Sequence, residues 1–103
     1  MDRFALLGLL RAKAGKENEV EQFLKSAQSL ANSEPGTTTW YAVKLGSGRY
    51  GIFDTFRDKA GQEAHLDGEI AKALFAKADE LLAEPPQIEY LEILASKAPA
   101  VEG

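Results

Sequence analysis

Apolar residues recur along the chain with two different spacings, and the switches between them mark out its elements. Phe4 to Lys13 (FALLGLLRAK) is apolar at both parities, Phe4, Leu6 and Leu10 on one face and Ala5, Leu7 and Leu9 on the other, as in a strand covered on both sides. After Ala14-Gly15 the period becomes helical from Lys16 to Ser33, with Val20, Phe23, Leu24, Ala27, Leu30 and Ala31 opposite Glu17, Glu19, Lys25, Gln28 and Asn32. Glu34-Pro35-Gly36 stops that helix. Thr37 to Leu45 (TTTWYAVKL) and Tyr50 to Phe56 are rich in β-branched and aromatic residues, and Gly46-Ser47-Gly48 joins them as an antiparallel hairpin. Asp58 is placed to cap a short helix, weakened by Gly61, that leads to His65. Asp67-Gly68 interrupts it before Glu69 to Ala83, whose stripe is Ile70, Ala71, Leu74, Phe75, Ala78, Leu81 and Leu82. Pro85-Pro86 ends this helix, Gln87 to Ala95 (QIEYLEILA) reads as the last strand, and Ser96 to Gly103 as a flexible tail.

The order βαββαβ predicts an α+β fold of the ferredoxin-like kind: a four-stranded antiparallel sheet with both helical regions on one face. Such a sheet leaves its other face bare. Because the first and last strands are apolar at both parities, that face is expected to be buried by a second copy of the chain, the two sheets forming a dimeric α/β barrel. A length of 103 residues fits one domain, with its core over about residues 4–95.

Composition narrows the chemistry. With no cysteine there is no disulfide framework, no thiol catalysis and no Cys-ligated metal, and a single histidine argues against a multi-His metal site, so no metal is expected. A net charge of −4 without a Lys/Arg cluster argues against nucleic acid or an anionic membrane as partner. The run Phe4 to Leu10 is too short for a signal h-region or a membrane span, which points to a cytoplasmic protein. No glycine-rich loop has phosphate-binding spacing.

Several short motifs occur in a particular order: Lys13-Ala14-Gly15-Lys16-Glu17 after the first strand, Glu34-Pro35-Gly36, the Trp40-Tyr41 strand, Asp54-x-Phe56, and Glu63-Ala64-His65-Leu66. Together, over about residues 4–95, they resemble the antibiotic biosynthesis monooxygenase (ABM) domain. The resemblance implies a dimeric α+β barrel with a pocket between sheet and helices in each protomer. It further implies cofactor-independent oxidation of a quinol, or a related phenolic or polyketide-like aromatic compound, by O2. Other roles on the same fold are a non-catalytic small-molecule-binding dimer and, more remotely, haem breakdown. This chain departs from the family pattern twice. It has Asp54-x-Phe56 where many members have Glu-x-Trp, and Asp67-Gly68-Glu69 where many have a second histidine. The second departure disfavours haem chemistry, which anchors iron on a histidine.

Oxygenation without a cofactor needs a substrate anion as electron donor, hence a base and a dry pocket. His65 is the candidate base, since an imidazole titrates near neutral pH, and Asp54 is its candidate orienting partner. Each also has a purely structural reading: His65 capping a helix end or pairing with a carboxylate, Asp54 bonding the backbone of the following helix. Trp40, Tyr50, Phe56 and Phe75 are the candidate lining of an aromatic pocket, with core or interface packing as the alternative for each. Arg49 and Arg57 either attract an anionic substrate or are solvated strand ends.

Overall fold

The computed structural model describes residues 2–98. The elements are β1 (Phe4–Arg11), α1 (Glu17–Asn32), β2 (Thr37–Gly46), β3 (Arg49–Phe56), α2 (Lys59–Leu66), α3 (Glu69–Leu81) and β4 (Gln87–Glu92). Each begins and ends within three residues of its sequence-based expectation. The larger differences are at C-terminal ends: β4 stops at Glu92 and α3 at Leu81. Residues 96–98 have no regular structure, and the rest of the expected flexible tail lies outside the described residues.

The strands form one antiparallel sheet in the order β2-β3-β1-β4, the ferredoxin-like arrangement expected from βαββαβ. In the hairpin only Ser47 and Gly48 lie between β2 and β3, and Gly48 takes φ of 72°, where a side chain would be strained. The register aligns Trp40, Asp54, Leu6 and Tyr90 across the four strands, so these four side chains leave the same face. That is the helix-covered face. Beneath it Leu10, Val20, Leu24, Tyr50, Ile52, Leu74, Leu81 and Leu82 form the main core, and Ala27, Ala31 and Ile70 a smaller cluster, with Trp40 packed against both.

Burial on α1 follows the expected stripe at Val20, Leu24, Ala27 and Ala31, while Leu30, expected on the same stripe, is exposed at its edge. Phe75 of α3 departs from its stripe, lying half-exposed beside the buried Ala71 and Leu74. On the opposite face of the sheet no helix packs among the described residues. Tyr41, Val43 and Leu45 of β2 are exposed there, next to the partly covered Leu7, Leu9, Phe53 and Leu91 of the other strands.

Candidate functional site

Alternation along β3 sends Tyr50, Ile52, Asp54 and Phe56 toward the helices. Three of these suit a core; Asp54 does not, yet it is 1% exposed. Facing it is His65, in the last turn of α2. That helix starts where Asp58 accepts a hydrogen bond from the Gly61 amide at 2.8 Å, the expected cap, and the Gln62 side-chain amide donates to the Ala5 carbonyl of β1 at 2.9 Å. Cap and tether together fix where the helix ends, and so where the imidazole sits.

The imidazole is gripped from both sides. Its Nε2 lies 2.8 Å from Asp54 Oδ2, and its Nδ1 lies 2.6 Å from Oε1 of Glu34, which also accepts from the Thr37 hydroxyl at 2.8 Å. The Glu34 contact is a well-formed hydrogen bond. The Asp54 contact is nearly as close and is an ion pair, and the second Asp54 oxygen, Oδ1, is buried without a hydrogen-bond partner among the described residues. The Phe56 ring closes a third side, its centroid 5.5 Å from that of the imidazole. Burial alone would lower the His65 pKa, but Asp54 first and Glu34 second outweigh it, and the net direction is upward. The ring is thus hydrogen-bonded to Glu34 and ion-paired with Asp54, and both partners favour its protonated form over the neutral one.

Glu34 is the member of this cluster that sequence reasoning missed. It stood in view as part of a helix-stopping turn, and nothing local marks it as a partner of a histidine 31 residues away. The tertiary signal lies in glycines. A Cβ on Gly61 would come within 2.8 Å of the Gly36 carbonyl, and one on Gly68 within 2.8 Å of Glu34 Oε2. The loop after α1 thus presses directly onto α2, and glycine at both positions admits the contact.

The expected site residues separate into two places. Asp54, His65 and Phe75 border one cavity of about 40 Å³ with Leu6, Ile52 and Ile88, an apolar space whose ionisable walls, among the described residues, are the Asp54–His65 pair. Trp40 and Tyr50 instead line a groove of about 400 Å³ between α1 and β2. There the Tyr50 hydroxyl donates to Glu21 at 2.6 Å, and Lys44 pairs with the same oxygen at 3.0 Å. Burial and the Glu21 carboxylate push the Tyr50 hydroxyl up to about 12, so it stays protonated, and Glu21 is held low by Tyr50 and Lys44. The indole N–H of Trp40 is buried without an acceptor. Phe56 borders neither space and serves the site by packing on His65. Among the described residues no group of three His, Cys, Asp or Glu side chains is arranged to hold a metal ion.

No family model and no curated protein sequence matches the chain. Solved structures do. The NE2512 protein of unknown function from Nitrosomonas europaea is 51% identical, with 98% of each chain covered and a TM-score of 0.95. Two proteins provisionally named as antibiotic biosynthesis monooxygenases share the architecture. The one from Nitrosomonas europaea has a TM-score of 0.80 at 12% identity over 93% of this chain and 94% of its own. The one from Caulobacter crescentus has 0.75 at 23% identity over 91% and 92%. The chain thus belongs to the same family as the NE2512 protein, and its fold is that of the antibiotic biosynthesis monooxygenases.

Proposed function

We propose that this protein is a cofactor-independent monooxygenase of small phenolic compounds, quinols among them, working as a homodimer with Asp54 as the base. The observation that carries the reading is the Asp54 carboxylate. It is almost fully buried, borders an apolar cavity, has no hydrogen-bond donor at Oδ1, and is held with Oδ2 2.8 Å from Nε2 of His65. A buried carboxylate with an unpartnered oxygen is a costly group to keep, and a phenolic O–H entering the cavity would satisfy it. Asp54 would take that proton, and the adjacent imidazolium would stabilise the phenolate, the electron donor that reacts with O2. These roles reverse the sequence expectation of His65 as base and Asp54 as orienter. The same geometry counts against haem anchoring, because both ring nitrogens already face carboxylates.

In this state the cavity has room for little more than ordered water. Phe75, 53% exposed at its border, is the wall free to move, since a half-exposed ring changes rotamer readily. The dimer part of the proposal rests on the uncovered sheet face, where Tyr41, Val43 and Leu45 together make an apolar surface that a second sheet would bury.

A non-catalytic alternative has one observation in its favour: the larger space is the α1–β2 groove, sized for a small molecule but lacking a competent base. Oxygen uptake with a panel of reduced quinones tests the main reading. Turnover above autoxidation that falls about a hundredfold or more in Asp54→Asn supports it. Absence of turnover, with a metabolite co-purifying in native mass spectrometry and lost from Trp40→Ala, supports the binding role instead.

A further inference from the structure

We propose that Glu34 is a positioning residue of this site, acting through His65 to hold the charge beside Asp54. The inference rests on the reading of Asp54 as base. Glu34 lies outside the cavity and does not border it; it lines a separate outer groove of about 320 Å³ together with His65, Gly61, Gly68 and Glu69. Its one link to the cavity is the 2.6 Å hydrogen bond to Nδ1 of His65. That bond does two things. It fixes the ring plane that presents Nε2 to Asp54, and it supplies the second negative charge that keeps the proton on the ring.

Several features show that the arrangement is built into the fold. The Thr37 hydroxyl donates to the same Glu34 oxygen and limits its rotation. The Gly36–Gly61 backbone contact and the absence of a side chain at Gly68 let the loop approach α2 closely enough for the bond to form. The ionisable groups facing His65 are Asp54 from β3 and Glu34 from the α1–β2 loop, while Glu69 at the start of α3 stands on the border of the outer groove. If the inner carboxylate alone held the ring, a proton delivered to Asp54 would leave His65 facing a neutral acid. With Glu34 in place, the imidazolium keeps an anionic partner throughout the transfer and remains beside the phenolate. The atoms balance: the phenolic O–H bond breaks, an Asp54 O–H bond forms, and the protons on His65 stay where they were.

Since His65 is the only histidine, its ring signals are unambiguous in NMR. In the full-length wild-type protein both ring nitrogens are expected to be protonated at neutral pH. Glu34→Gln, which keeps the shape and a hydrogen-bond acceptor but removes the charge, is expected to shift the His65 titration downward, and Glu34→Asp to recover part of the shift. In oxygen-uptake assays Glu34→Gln is expected to lower kcat about tenfold to a hundredfold with KM little changed. A folded Glu34→Gln whose His65 titrates as in wild type overturns the proposal; should that variant not fold, Glu34→Asp carries the same comparison. If wild type oxidises no quinol, the monooxygenase reading falls, and the NMR comparison still decides the role of Glu34.

Discussion

His65 has three close neighbours that matter, and they determine both its charge and what its loss would cost. With the imidazolium removed, Asp54 and Glu34 would be left as buried or half-buried carboxylates without their countercharge. His65→Ala is therefore expected to cost about 3–5 kcal/mol in urea unfolding, the range for breaking a buried ion pair by removing one partner. A loss below about 1 kcal/mol would mean that the pair contributes little. The same contacts give a pH dependence with a definite sign. The folded state raises the His65 pKa above its ordinary 6.5, so the folded protein binds that proton more tightly than the unfolded chain. The resulting stability is fully present below the unfolded value and is lost as pH rises through the folded one. Thermal unfolding midpoints should accordingly fall on going from mildly acidic to alkaline buffer, and His65→Gln should flatten that slope. A slope unchanged in the variant would assign the pH dependence to other groups.

At the scale of elements, the position of α2 decides whether the site exists, and two residues bring it there by different means. Asp58 caps the helix, so Asp58→Ala should destabilise by about 1 kcal/mol. Gly61 runs against helix propensity, by which alanine would gain up to about 1 kcal/mol in an ordinary helix. Here the added methyl would meet the Gly36 carbonyl at 2.8 Å, so Gly61→Ala is expected to destabilise instead, by about 1–3 kcal/mol, the usual cost of overpacking. Chemical denaturation of this variant has a clear outcome, because a stabilised Gly61→Ala would contradict the tight loop–helix contact. Propensity marks Gly61 only as a poor helix former, whereas the reason for a glycine there requires the loop and the helix to be seen together.

For the whole molecule, the two faces of the sheet have opposite fates. One packs on α1, α2 and α3. The other exposes Tyr41, Val43 and Leu45, a surface whose burial the homodimer reading requires. Light scattering at micromolar concentration should give twice the chain mass, and Val43→Asp should give a monomer with unchanged far-UV circular dichroism. A wild-type monomer under those conditions would remove the dimer and the barrel from the proposal.

The hydrophobic pattern by itself determined the order of elements, the strand and helix faces, the cap at Asp58 and the ferredoxin-like class, because periodicity and turn chemistry are local properties that each segment carries with it. Side-chain chemistry and the family resemblance offered Asp54 as a partner for His65, with a backbone bond to the following helix as the alternative, and the structure brings the two side chains within 2.8 Å. Their roles, however, depended on what else reached the ring, and the sequence has no local mark for a glutamate that arrives from another loop. Tertiary structure alone decided that Glu34 reaches His65, that Trp40 and Tyr50 face a different groove from Asp54, and that Gly61 and Gly68 sit where a side chain would have no space. Those outcomes depend on distances between segments far apart in the chain, which packing sets and no spacing of residues encodes.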